Sequence, residues 1–181
     1  MRGGRSRPGD TAMTDATDEI DRQTIHDMLD GKVSDDRLRN EILPDPKDPQ
    51  RFHKTIEVHQ ERVDFDERIL VPLNDHLYIV SKDGNRVVMG ACGHEFCDAD
   101  DNWKLSCQVR TRESQEKTKE LFPEWSTPNP DWTFQVREYF CPECYALVNV
   151  SSVPAGYPMY EPFEPDIDTF YEDWLGEPVP E

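Results

Sequence analysis

Four of the five cysteines in this chain fall into two close sets flanking a histidine: Cys92-Gly93-His94-Glu95-Phe96-Cys97, and then Cys141-Pro142-Glu143-Cys144. Thiolates and an imidazole at these spacings converge readily on one tetrahedral ion. Soft sulfur donors with no redox demand select zinc. The constraint on folding is topological. Any fold this chain adopts must bring two loops, well separated in sequence, to a single point.

The rest of the composition makes such a fastening valuable. Only 35% of the 181 residues are hydrophobic and fifteen are proline, so the expected core is small and a structural metal contributes a large share of folding energy. A formal net charge of -18 repels phosphate backbones and anionic lipid surfaces. The partners expected are therefore neither nucleic acid nor membrane. No segment approaches the roughly 20 apolar residues of a membrane span. The basic start, Met1 to Pro8, lacks the apolar stretch of a secretory signal. The expectation is a cytoplasmic chain whose cysteines are reduced ligands and not disulfides. Met13 is an alternative start to Met1, and residues 1–16 are expected to be a disordered extension.

Residues 17–66 read as a helical arm. Ile20, Ile25, Met28 and Leu29 form an imperfect apolar stripe ending at Gly31, a suitable helix C-terminus. Ser34 is an N-cap with Val33 and Leu38 placed as a hydrophobic staple. Pro44, Pro46 and Pro49 stiffen the next connection. Asp48 then caps a third helix with Pro49 at its first position, and Phe52, Ile56 and Val63 share one face.

Residues 67–153 change to a period of two and read as a β-rich core. Strands are expected over Arg68–Leu73 and His76–Lys82, with Asp83-Gly84-Asn85 turning into Arg86–Met89. Trp103 to Arg110 alternates so regularly that it reads as a half-buried strand, with Cys107 a buried, inert thiol on its apolar face. Ser114 to Phe122 reads as a charged helix and Pro123 to Pro130 as a loop. Trp132, Phe134 and Val136 begin a strand up to Cys141, and Ala146–Val150 leaves the second cysteine pair. Residues 154–181 form an extended aromatic tail for partner docking. Within it Ile167, Phe170, Tyr171, Trp174 and Leu175 mark a short helix between Asp166 and Gly176. The fold class expected is α+β: a small zinc-ribbon-like core, a helical arm and that tail.

Five candidate ligands compete for four metal positions. Cys92 and Cys97 with Cys141 and Cys144 make an all-thiolate site; alternatively His94 replaces Cys97, as C-x-H does in RING-type loops. Either set closes the coordination shell, which is the hallmark of structural zinc. His26, His53, His59 and His76 have no partnered spacing and read as surface or core residues. Zinc deaminase, phosphate-loop, nucleophile-elbow and thioredoxin signatures all fail on spacing or context. No catalytic residue is expected in this chain.

Longer runs resemble a known family. Cys-Gly-His-Glu-Phe-Cys-Asp (92–98), Asp-Asn-Trp-Lys-Leu-Ser (101–106) and Arg-Glu-Tyr-Phe-Cys-Pro-Glu-Cys (137–144) are similar to the gamma subunit of acetone carboxylase. So are Pro-Lys-Asp-Pro-Gln-Arg-Phe (46–52) and Phe-Tyr-Glu-Asp-Trp-Leu-Gly-Glu-Pro-Val-Pro (170–180). The resemblance spans residues 18 to 181 and extends to a subunit of acetophenone carboxylases. It implies a zinc-binding, architectural small subunit in a heterohexamer with two larger subunits, alpha and beta in type. Those would carry ATP and Mn2+ or Mg2+ and join a ketone with bicarbonate into a 3-oxo acid such as acetoacetate. The family pattern has a cysteine where this chain has Gly90 and favours glycine where Tyr145 stands, so Gly90's position is not an essential ligand. A free-standing zinc-ribbon or RING-like interaction adaptor is the alternative; it would not need the proline arm or the aromatic tail.

Overall fold

The computed structural model describes residues 19–43, 48–124, 134–160 and 163–181. Residues 1–16, expected as an extension, Pro44 and Pro46, most of the 123–130 loop, Trp132 and Pro162 lie outside them. The chain divides into two units, residues 1–55 and 56–181.

In the first unit, helix α1 (Arg22–Leu29) starts where the Asp21 carboxylate accepts the Thr24 amide at 2.7 Å. It ends at Gly31, whose φ of +65° is the left-handed stop that glycine tolerates. Ser34 caps α2 (Asp35–Arg37), which runs on as a π-helical turn over Leu38–Ile42. Asp48 accepts the Gln50 amide at 2.8 Å ahead of α3 (Arg51–Gln60). The same carboxylate takes Lys54 Nζ at 2.8 Å and the Ile20 amide at 3.2 Å. Asp48 is thus a cap and a clasp at once.

The second unit holds two antiparallel sheets. The first is a meander in the order β1 (Arg68–Asn74), β2 (Leu77–Lys82), β3 (Asn85–Gly90) and β4 (Glu95–Asp98). Asp83 and Gly84 both have positive φ (51° and 79°) between the paired Lys82 and Asn85. That is the tight hairpin turn the sequence predicted. Leu77, Tyr78, Ile79 and Val80 are buried in succession, so both faces of this sheet are covered. On one face His59 of α3 approaches the Tyr78 hydroxyl at 3.3 Å. Since that hydroxyl donates to the Asp75 carbonyl at 2.9 Å, His59 Nδ1 is assigned as the proton-bearing nitrogen. Burial holds His59 below its usual pKa and pushes Tyr78 up to about 12. On the other face, Ile79 and Val88 share a cavity wall with Trp103, Tyr160 and Phe163.

The second sheet runs β5 (Gln108–Arg112), β6 (Phe134–Phe140), β7 (Leu147–Pro154), with helix α4 (Gln115–Lys119) capped by Ser114. Glu138 on central β6 is buried. It is gripped from β5 by Arg110 through two bonds (2.7 and 2.8 Å) and by Arg112 Nε at 2.9 Å. The tail crosses this region as a strap of backbone carbonyls. Arg137 Nη1 reaches Pro158 O at 3.3 Å, Lys104 Nζ reaches Tyr160 O at 3.0 Å, and Asn102 Nδ2 reaches Met159 O at 3.1 Å.

Three expectations need correction. Residues Trp103–Ser106 are a 3-10 turn, not strand; β5 begins only at Gln108. The Asn102 side chain accepts the Lys104 amide at 3.1 Å and so offers the backbone an alternative to a ladder. Leu105, expected inside, is 69% exposed. Val63 lies beyond α3, whose buried residues are Ile56, Val58 and His59. Finally, the tail helix α5 (Ile167–Thr169) continues with π winding over Phe170–Leu175. The wider i→i+5 turn buries Ile167 and Tyr171 but rotates Trp174 outward, where it is 78% exposed. Tyr171 Oη donates to the Leu70 carbonyl at 2.9 Å and Asp168 pairs with Arg86, so this helix docks on the chain's own first sheet.

Candidate metal centre

Each cysteine loop joins two antiparallel strands. The first follows β3: Gly90 N–H donates to His94 O and Gly93 N–H to Gly90 O, both at 2.8 Å. Gly93 has a φ of +81°, which closes this turn without strain. The second follows β6, where Cys141 N–H donates to Ala146 O at 2.9 Å and Tyr145 N–H to Cys141 O at 3.0 Å. Tyr145 takes a φ of +61°, a conformation suited to glycine. Between the sheets, Asn74 Nδ2 donates to Val148 O at 2.9 Å and draws the β1–β2 turn towards β7.

These loops bring Cys92, Cys141 and Cys144 together, with all three sulfurs within 4.8 Å of one another. Cys92 Sγ and Cys141 Sγ stand 3.7 Å apart. A tetrahedral ion with bonds of about 2.3 Å keeps its sulfurs about 3.8 Å apart, so the donor set fits a thiolate-bound metal. Backbone amides help. Burial pushes the Cys92 thiol up to about 11, against an opposing N–H from His94. For Cys144 burial also acts upward, yet the Ala146 N–H and the thiols of Cys92 and Cys141 outweigh it and hold Cys144 below its usual value. Cys141 is buried, Cys92 half-buried and Cys144 exposed, so the centre sits at the rim of the core.

The other candidates stand apart from this trio. Cys97 lies on β4 opposite Val88, its thiol against the Asp101 carbonyl at 3.7 Å. Burial, with Asp101 and Asp98, pushes it up to about 11. The His94 ring packs edge-on to Phe96 at 4.9 Å between centroids. Cys107 follows the 3-10 turn with its thiol on the Trp103 carbonyl at 3.6 Å, and burial pushes it up to about 12. Among the described residues no fourth Cys, His, Asp or Glu ligand atom lies within that 4.8 Å group. A small cavity adjoins the trio, lined by His76, Gly90, Ala91, Cys92, Cys141 and Cys144 among others. Sequence spacing gave no reason to place His76 there, because its neighbourhood is set by strand pairing and not by distance along the chain.

The family profile described as acetone carboxylase gamma subunit matches residues 63–175, a stretch containing both cysteine loops. This chain belongs to the acetone carboxylase gamma subunit family. The gamma subunit of acetone carboxylase from Xanthobacter autotrophicus is 44% identical over 162 residues, covering 88% of this chain and 95% of that one. The acetophenone carboxylase beta subunit of Aromatoleum aromaticum is 29% identical over 112 residues, covering 60% and 78% respectively. Among the described residues of this gamma-family chain, no helix is long and apolar enough to cross a membrane.

Proposed function

We propose that this chain is the zinc-binding small subunit of an ATP-dependent ketone carboxylase, and that its role there is structural. The complex joins acetone, or a related ketone, with bicarbonate into a 3-oxo acid such as acetoacetate. Phosphoryl transfer and carbon–carbon bond formation fall to two larger subunits, which carry ATP and Mn2+ or Mg2+ in a cytoplasmic heterohexamer. Cys92, Cys141 and Cys144 hold the zinc, with a fourth ligand completing the shell. Bound zinc supplies a cross-link between the two sheets.

The convergence of three cysteine sulfurs from two sheets, in a chain 44% identical to a carboxylase gamma subunit, carries this reading. The surface supports the assembly role, for Trp174, Tyr160, Phe163 and Phe122 are all more than half exposed. Side chains of that size at a surface suit contact with large partners.

Purification of the tagged chain from its native host tests the proposal. Two larger subunits should accompany it in near-equal amounts, and the recovered complex should fix bicarbonate only with both ATP and a ketone. Recovery of the chain alone, or full carboxylation by the larger subunits without it, would overturn the assignment.

A further inference from the structure

We infer that His76 supplies the fourth ligand of the metal centre, making it a Cys3His site composed of Cys92, Cys141, Cys144 and His76. This rests on the zinc reading above. The cavity that His76 shares with the three cysteines has a volume of about 20 Å³. About 10–15 Å³ suffices for one water-sized sphere, so the space takes a single small ion.

The fold holds His76 at that point from two sides. Its carbonyl accepts the Ala91 amide at 3.0 Å, and the next residue, Leu77, pairs with Gly90 across the ladder. Its own amide donates at 2.8 Å to Asn74 Oδ1, while Asn74 Nδ2 bonds Val148 beyond the second cysteine loop. One asparagine therefore ties the residue to both halves of the centre. His76 is exposed, as is Cys144; its ring nitrogens stand outside the 4.8 Å group, so binding requires the side chain to swing in and close the solvent side of the trio. Gly90, next to Cys92 across this space, brings no side chain of its own: a Cβ there would lie 3.8 Å from Cys92 Sγ.

The rival ligands are engaged elsewhere. A Cβ on Gly90 would also stand 3.1 Å from the Phe96 ring, so Phe96 points to the metal side of β4. Cys97 pairs with Val88 where the ladder is irregular, and its thiol is held on the Asp101 carbonyl at 3.7 Å, outside the cysteine trio. His94 is engaged with Phe96, and its amide is spent on Cys92. A neutral imidazole beside three thiolates is an ordinary structural zinc set.

Zinc content, cobalt(II) absorption and zinc X-ray absorption of the purified full-length chain test this. The wild type should hold one zinc with three sulfurs and one imidazole in its first shell. His76→Ala should weaken zinc binding by more than about 100-fold, beyond the loss of an outer hydrogen-bond partner. His94→Ala and Cys97→Ser should leave it within a few-fold. Should His76→Ala fail to fold, His76→Cys decides, because it must retain metal while its cobalt spectrum changes to that of four thiolates. Adding Gly90→Cys to His76→Ala should restore binding by a different route. A four-sulfur wild-type shell, loss of metal in Cys97→Ser or His94→Ala, or a wild-type spectrum in His76→Cys would overturn the inference and leave the zinc reading standing. A folded wild-type chain without tightly bound metal removes both.

Discussion

Single residues in this chain carry more than their chemistry suggests. Tyr145 occupies left-handed backbone, which costs a side chain about 1–2 kcal/mol. Glycine there relieves that strain but gives back about 0.5–1 kcal/mol in chain entropy. Tyr145→Gly should therefore leave stability within about 1 kcal/mol of wild type, while β-branched Tyr145→Val should lose at least about 1 kcal/mol; denaturant titration would separate them. Glu138 makes a pH prediction. Bonded first to Arg110 and then to Arg112, with burial opposing, its carboxyl titrates at about 2 against an ordinary 4.5. The unfolded chain thus binds the extra proton at low pH, so the stabilisation is complete above about pH 4.5 and fades as pH falls towards 2. Glu138→Gln should cost about 1–3 kcal/mol at pH 7, and the difference from wild type should shrink through that window. On the proposed zinc assignment, Cys141→Ser should release the metal and destabilise the fold, whereas Cys107→Ser should keep near-normal metal by elemental analysis.

Elements test the docking of the tail. Tyr171→Phe removes a buried hydrogen bond to Leu70 and should lower stability by about 1 kcal/mol. Trp174→Ala acts on an exposed ring; it should leave the melting point of the isolated chain unchanged and reduce recovery of the assembled complex. A lower melting point with full recovery would assign Trp174 to folding instead. These two residues also show what could be read in advance. Caps and stops such as Ser34, Gly31, Asp166 and Gly176 were legible because each acts on its own neighbours. So was the Asp83-Gly84 hairpin. The π winding that separates Tyr171 from Trp174 was not, since the same apolar spacing serves an α-helix. Strand β4 hid inside the first cysteine motif, and Asn102 overrode a regular alternation from Trp103 to Arg110. The approach of Cys92, Cys141 and Cys144 was foreseeable from spacing alone. The place of His76, and the straps from Lys104 and Arg137 to the tail, depend on pairings that no local pattern records.

Across the whole molecule, Cys92 and Cys141 are 49 residues apart in sequence. A bridge closing a loop of that length restricts the unfolded chain by about 4 kcal/mol in the entropic account. At about 2–4 °C per kcal/mol for a chain of this size, removing zinc with a chelator should lower the melting point by roughly 10 °C, and zinc should restore it. On the proposed assignment the centre is then also a checkpoint in biogenesis. A freshly synthesised copy reaches its full stability only once both hairpins have captured the ion. Starvation for the element would shorten the lifetime of unassembled copies, so micronutrient supply would govern how much carboxylase a cell can build.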